Sequence, residues 1–240
     1  MTRSGFKRFG AAVLASMTLM SGVVGNAAEP VDMPPVSEQS TAESSEVVSN
    51  QNLPSEAGAA VYAQAMLDAY IKLDPTTAVE QGYISAQQWA ENYKTQLEDL
   101  KNEFPYMPDE ALNKFIDSAM NIVSKTNYIA GATRQLEDGS FEVTILYEQM
   151  VIDEDEMVGR FLENMMVWED SLPVDISDIS EEDILSGLAT IMTNVLNLYC
   201  EFPVYTEPTT TTVIVTYKDG NYQIADSSYD EIASLVLAFI

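Results

Sequence analysis

Residues 127–148 read NYIAGATRQLEDGSFEVTILYE, and residues 209–224 read TTTTVIVTYKDGNYQI. In each stretch two runs of strand character flank an Asp-Gly pair, Asp138-Gly139 and Asp219-Gly220, the strongest short-range signal for a β-hairpin. A two-residue turn at Asp138-Gly139 predicts the pairs Leu136 with Phe141, Arg134 with Val143, Ala132 with Ile145 and Ala130 with Tyr147. One face of that hairpin is then bulky on its second strand and small on its first, which leaves room for another layer. The second hairpin is predicted to pair Tyr217 with Tyr222 and Val215 with Ile224, with Thr212, Thr216 and Gln223 turned outward.

Around the hairpins the period changes from two to that of a helix. From about Ala57, one helical face carries Ala59, Tyr62, Met66, Tyr70 and Leu73; Asp74-Pro75 stops it, and a short helix follows through Gln81 to Gly82. Ser85 and Gln88 form a capping box for a helix with the stripe Trp89, Tyr93, Leu97, Leu100 and Phe104, broken at Pro105 and Pro108. From Asp109, the residues Leu112, Phe115, Ile116, Ala119, Met120 and Val123 mark a core-facing seam. Past Ile152 a helix is predicted with Met157, Phe161, Leu162, Met165 and Trp168 on its inner side, ending by Pro173. Another opens at Ser180, with Glu181, Glu182 and Asp183 on the positive end of its dipole. Its wide apolar arc, from Leu185 through Leu196, predicts the most buried helix. Residues 228–240, SYDEIASLVLAFI, read as a closing helix with a Ser228–Glu231 capping box. The expected fold class is α+β, with helices packed on one face of an antiparallel sheet built from the two hairpins. Single strands do not alternate with helices, so Rossmann and barrel readings fail.

The front of the chain has another character. Arg3, Lys7 and Arg8 precede an apolar run from Phe9 to Val24 and the small residues Gly25, Asn26, Ala27 and Ala28, the order of a secretory signal peptide. An uncleaved membrane anchor is the alternative, since the run is only slightly short of a span. Residues 29–56, rich in Ser, Glu and Pro, lack periodicity and read as a disordered spacer. The expected organisation is therefore 1–28 signal peptide, 29–56 spacer and 57–240 α+β domain, with a secreted or extracellular location, cell-wall association included. No membrane span is expected once the signal is cut.

Composition removes several kinds of chemistry. The 240 residues include 38 acids, 11 bases and no histidine, so imidazole-based triads, Cys-His pairs and HExxH zinc sites are excluded. The net charge of −27 would repel nucleic acid and anionic lipid. Cys200 stands alone among Leu198, Tyr199 and Phe202, which suits a shielded thiol rather than a disulfide or a nucleophile.

The acidic run Asp153-Glu154-Asp155-Glu156 invites a calcium reading, but Met157 and Val158 stand where an EF-hand loop needs a ligand and a glycine. A helix start with acids on its positive dipole end explains the run better. No catalytic residue, metal ligand or cofactor site emerges. Methionines at 150, 157, 165 and 166 suggest an adaptable apolar surface, and a cavity between helices and sheet is a common binding place. The expected pocket is lined by Ile145, Tyr147, Phe161, Met165, Trp168, Tyr217 and Tyr222; ordinary core packing is the competing reading of the same residues. The expected function is that of an exported, non-enzymatic binding or accessory protein for a small apolar ligand or a cell-surface protein. The alternative is a histidine-free glycan hydrolase working with a pair of Asp or Glu carboxyls. A weak calcium-binding structural role is a third reading.

AYIKLDPTTAVEQG at 69–82, FEVTILYEQM at 141–150 and VIVTYKDGNYQIADSSYDEI at 213–232, behind an export signal and a spacer, give the chain a resemblance. It resembles uncharacterised exported proteins and lipoproteins of Gram-positive bacteria with an NTF2-like or cystatin-like α+β domain. Val213, Val215, Lys218, Asp219, Gly220, Tyr222 and Ile224 match the terminal hairpin of that group. The resemblance implies a helix beside the sheet edge and transfers no functional residue, since most such families have no assigned activity. The lipid-bearing cysteine of the lipoprotein members is missing here.

Overall fold

A computed structural model of the chain describes residues 54–102, 107–172 and 179–239. The expected signal peptide, most of the expected spacer, and the breaks at Pro105 and Pro173 lie outside the described residues. The elements run α1 (Glu56–Ile71), α2 (Thr76–Glu80), α3 (Ala86–Asn102), α4 (Asp109–Ser124), β1 (Asn127–Gln135), β2 (Phe141–Glu148) and β3 (Met150–Ile152). Then come α5 (Glu154–Asp170), α6 (Glu181–Glu201), β4 (Thr209–Lys218), β5 (Asn221–Ile224), a 3-10 turn (Asp226–Ser228), α7 (Tyr229–Ser234) and β6 (Leu237–Phe239). Strands β1, β2, β4 and β5 form one antiparallel sheet in the order β1-β2-β4-β5. The protein is thus α+β, with its main sheet built from two hairpins joined through β2 and β4.

The two Asp-Gly turns differ, and so do their registers. At the second, Asp219 and Gly220 both take positive φ, 54° and 85°, the demand of a type I′ two-residue turn. Tyr217 accordingly faces Tyr222, and Val215 faces Ile224, as expected. At the first, the carboxylate of Asp138 accepts hydrogen bonds from the Ser140 backbone N–H and hydroxyl, and only Gly139 is left-handed. The Gly139 N–H bonds the Leu136 carbonyl and the Leu136 N–H bonds the Ser140 carbonyl, which closes a three-residue loop. The register therefore slips by one from the expected pairs: Gln135 faces Phe141, Arg134 faces Glu142 and Thr133 faces Val143. A bulge between Ala130 and Thr133 slips it again, so that Ala130 faces Ile145 and Tyr128 faces Tyr147.

Helix α1 covers the inner face of this sheet. The face presents Phe141, Val143, Ile145, Val213 and Val215, each essentially inaccessible, and each such burial contributes about 1.5–3 kcal/mol. Against it α1 sets Ala59, Tyr62, Ala63 and Met66, whose small members let the helix lie close. Ser55 caps α1 by accepting from the Gly58 N–H. The helix also blunts the outer edge of β1, because Gln64 Oε1 accepts from the Ala130 N–H at 2.8 Å and Glu56 from the Gln135 N–H at 3.1 Å.

A second apolar cluster lies among the helices, where α4, α5 and α6 meet β3 through Phe115, Ile116, Met150, Met157, Phe161, Ile191 and Val195. The helix opening at Ser180 was expected to be the most buried, but α4 buries more of its length. The reason is position: Val123 of α4 reaches the sheet cluster while its other apolar residues serve the helical one. Tyr70 touches both clusters. Leu73, at φ 57°, turns the chain beyond α1 and packs its side chain into the helical cluster, against a left-handed cost of about 1–2 kcal/mol.

The chain end departs from its expected helix. Helix α7 stops at Ser234, and Leu237–Phe239 pairs in parallel with β3. Ser228 does not cap the helix with its side chain; its hydroxyl accepts from the Ile214 N–H at 2.7 Å. The Gln149 amide and the Thr126 hydroxyl donate to the Ser234 and Val236 carbonyls, taking acceptors that a longer helix would use internally. An unbroken apolar run such as LVLAF suits a buried strand as well as a helix, and periodicity alone does not separate them.

A Cβ on Gly58 would collide with the Tyr222 ring, whereas one on Gly159 in α5 would meet nothing within 4 Å. Gly58→Ala is therefore expected to destabilise the fold by about 1–3 kcal/mol in urea unfolding. Gly159→Ala is expected to stabilise it by roughly 0.5–1 kcal/mol.

Candidate functional site

The seven residues expected to line one pocket fall into two groups. Ile145 belongs to the sheet cluster, and Tyr147, Tyr217 and Tyr222 pack against it. Phe161 belongs to the helical cluster, with Met165 and Trp168 packed against that. The Trp168 indole rests on Gly187 of α6, where a Cβ would overlap the ring. Ile145 is fully enclosed.

The first group is part of an aromatic array between the α1 N-terminus and the second hairpin. Tyr62 stacks on Tyr222 at 5.7 Å between ring centroids, and Tyr217 meets Tyr222 edge-on at 4.9 Å. Tyr83 meets Tyr62 edge-on at 5.0 Å. The Tyr222 hydroxyl accepts from the Ser55 N–H at 2.9 Å, fastening β5 to the start of α1. Such ring geometry adds to plain area burial.

A polar cluster ties α1 to β1. Asp68 Oδ1 accepts from the Tyr128 hydroxyl at 2.9 Å and from the Gln64 amide at 3.0 Å, and the Lys72 ammonium sits 4.8 Å from the Tyr128 ring centroid. Burial, then the negative charge of Asp68, holds the Tyr128 phenol far above its ordinary range. Burial likewise raises Tyr62, and pushes Tyr199 and Tyr229 up to about 12. The Cys200 thiol, half-buried, is raised by the same cause, which works against a reactive thiolate.

The acidic run behaves as a helix start. Asp153 caps α5 by accepting from the Glu156 N–H, and Glu156 pairs with Arg160 one turn on. Ser180 caps α6 in the same way, accepting from the Asp183 N–H. Among the described residues, the carboxyls with displaced titration, Asp74, Glu110 and Asp138, are all held below their usual range, chiefly by hydrogen bonds from Thr76, Lys114 and Ser140. A glycosidase acid needs a shift in the other direction. Among the described residues, no group of three or more metal-ligating side chains is placed to hold an ion.

Apolar side chains are open to solvent at several places. On α5, Leu162, Met166 and Val167 are 47%, 64% and 70% exposed. Leu162 was expected to face inward, but it lies a hundred degrees around the helix from Phe161, on the outer side. The signal was present in Met165-Met166-Val167, since three consecutive helical residues cannot share one inward stripe. Ile129 and Leu146, cross-strand partners on the sheet, are exposed as well, as are Phe202 and Val204 beyond α6.

No family model and no curated protein matches the chain. The fold has a solved counterpart. It is the crystal structure of the putative lipoprotein ycdA from Bacillus subtilis, with a TM-score of 0.55 at 13% sequence identity. The match covers 75% of this chain and 56% of that protein, so the chain spans little more than half of its counterpart. At this identity the likeness concerns the fold alone, and it does not single out NTF2 or cystatin. Among the described residues, no helix is long and apolar enough to cross a membrane.

The raised phenols carry a pH consequence. A group whose folded pKa lies above its unfolded value near 10 stabilises the fold below that value, and the contribution is lost as pH rises toward the folded pKa. Stability is expected to fall above pH 10, through about 12 for Tyr199 and Tyr229. Absorbance titration at 295 nm is expected to show a steep step of phenol ionisation that coincides with the loss of the circular dichroism signal, because the Tyr62 and Tyr128 phenols ionise only as the fold opens.

Proposed function

We propose that the chain is an exported, non-enzymatic accessory protein that binds another exported or cell-surface protein through apolar side chains on its helical half. The observation carrying this reading is the exposure of Leu162, Met166 and Val167 together on α5, in a chain of net charge −27. Three exposed apolar side chains within about one and a half turns of a helix, on so acidic a protein, support an interaction site over a solvated face. Methionine adapts to partners of varied shape. The backing is firm, because Phe161, Met165 and Trp168 sit beneath that surface and Trp168 is seated on Gly187.

The domain division at residues 57–240, the secretory signal and an extracellular or surface location belong to the same proposal. The fold likeness to a putative lipoprotein supports a place at the cell surface. A membership among NTF2-like or cystatin-like proteins rests on the terminal hairpin residues alone. The small-ligand version would require the seven candidate residues to open onto a shared space. Their division between two clusters favours the protein-partner version, for which a convex helix face is suited.

Site-specific photocrosslinking tests the reading. With the crosslinker at Val167 in the chain expressed in its own host, one adduct of discrete mass is expected in the surface fraction, and Met166→Asp should abolish it. Absence of any adduct, or one untouched by Met166→Asp, contradicts the proposal. Thermal denaturation across a panel of neutral hydrophobes tests the small-ligand version separately. A midpoint shift of several degrees with one compound would favour that version instead.

A further inference from the structure

Three glycines of the described residues lie inside helices, and two of them have an occupant. The Tyr222 ring fills the space beside Gly58 in α1, and the Trp168 indole fills that beside Gly187 in α6. Gly159 in α5 differs: among the described residues nothing lies within 4 Å of where its Cβ would stand. A glycine inside a helix weakens it relative to alanine, and close approach of another group to the backbone is what offsets that loss. The fold itself makes no use of the side chain missing at Gly159.

Gly159 also stands in the middle of the solvent side of α5. At about 100° of rotation per residue, Gly159, Glu163, Met166 and Asp170 share roughly 60° of arc, with Leu162 and Val167 on its two flanks and Phe161 and Trp168 on the far side. From Gly159 to Val167 is about 12 Å along the axis, the width of one helix with its side chains. The charges around this stripe are nearly all of one sign. Helix α5 carries six acids, Glu154, Asp155, Glu156, Glu163, Glu169 and Asp170, against the base Arg160, which Glu156 holds through two hydrogen bonds. Helix α6, on which Trp168 rests, adds Glu181, Glu182, Asp183 and Glu201 and no base.

We propose that the partner presents a basic amphipathic helix, which crosses α5 over Gly159, sets its apolar residues among Leu162, Met166 and Val167, and brings its lysines or arginines against Glu163, Glu169 and Asp170. This inference rests on the accessory reading above and names the chemistry of the partner. Opposite charge is what the rim of the stripe selects, since an acidic surface is repelled by both helices and a basic one is drawn in before contact. The open backbone at Gly159 lets the axis of the incoming helix approach to the short end of the usual range of about 8–10 Å. The apolar anchors then hold the complex, and an amphipathic helix is the peptide form that offers them on one side and cations beside them.

Fluorescence anisotropy of a labelled synthetic amphipathic helix of leucine and lysine, titrated with the full chain at about 0.15 M salt, tests this. Binding is expected, whereas the same helix with glutamate for lysine, or with serine for leucine, should not bind at the same concentrations. Gly159→Leu and Met166→Gln should each weaken binding about tenfold or more, and Glu163→Lys severalfold, with no fall in the thermal midpoint. Phe202→Gln, away from α5, should leave it unchanged. No binding of the leucine-lysine helix overturns the proposal, and so does binding that Gly159→Leu and Met166→Gln leave unchanged or that the glutamate helix matches. A Val167 adduct that persists in the host while the leucine-lysine helix fails to bind counts against the basic helix alone, whereas a missing adduct counts against the accessory reading itself.

Discussion

The closeness of α1 to the inner face of the hairpin sheet is the constraint from which the rest follows. Ala59 and Ala63 bring the helix down onto Phe141, Val143, Ile145, Val213 and Val215, and Gly58 leaves room for the Tyr222 ring. The same helix then supplies what an edge strand lacks. Its Gln64 and Glu56 side chains accept the outward N–H groups of β1, and Asp68 holds Tyr128. One helix thereby buries a face, closes an edge and fixes the bulged register of the first hairpin. The left-handed turn at Leu73 carries the chain from this layer into the helical cluster, with Tyr70 touching both. Local strain at that residue is offset by the packing it makes accessible.

Turn chemistry made the sheet legible in sequence, and side-chain chemistry limited how far. Both Asp-Gly pairs mark hairpins, yet Ser140 after the first recruits Asp138 and lengthens the loop, while Asn221 after the second leaves a two-residue turn. That single neighbour moves the register by one. The 228–240 stretch failed for another reason. Its apolar run has no period to read, and the strand slot beside Met150–Ile152, with Gln149 and Thr126 waiting for carbonyls, exists only once the fold has formed. Long-range partners of this sort leave no local mark.

The candidate site was less legible than the fold. Periodicity assigns an apolar residue to a core-facing stripe, and it placed Phe161, Met165 and Trp168 correctly on the inner side of α5. It cannot say which layer completes the enclosure. Tyr217 and Tyr222 pack under α1, whereas the α5 residues pack against α4 and α6. The surface that carries the proposed function is one that residue type alone would have buried: Leu162, Met166 and Val167 on a helix. Their distinction is exposure within a strongly acidic molecule, a property of the assembled structure.

Native-state hydrogen exchange on the full chain measures the central packing claim most directly. Amides in the middle of α1, from Ala63 to Ala69, are expected to be protected to the same free energy as those of β2 and β4, and to open with them in one step as denaturant is added. Exchange of α1 at a markedly lower free energy, with the β2 and β4 amides still protected, would mean that the sheet stands without the helix and would contradict the account.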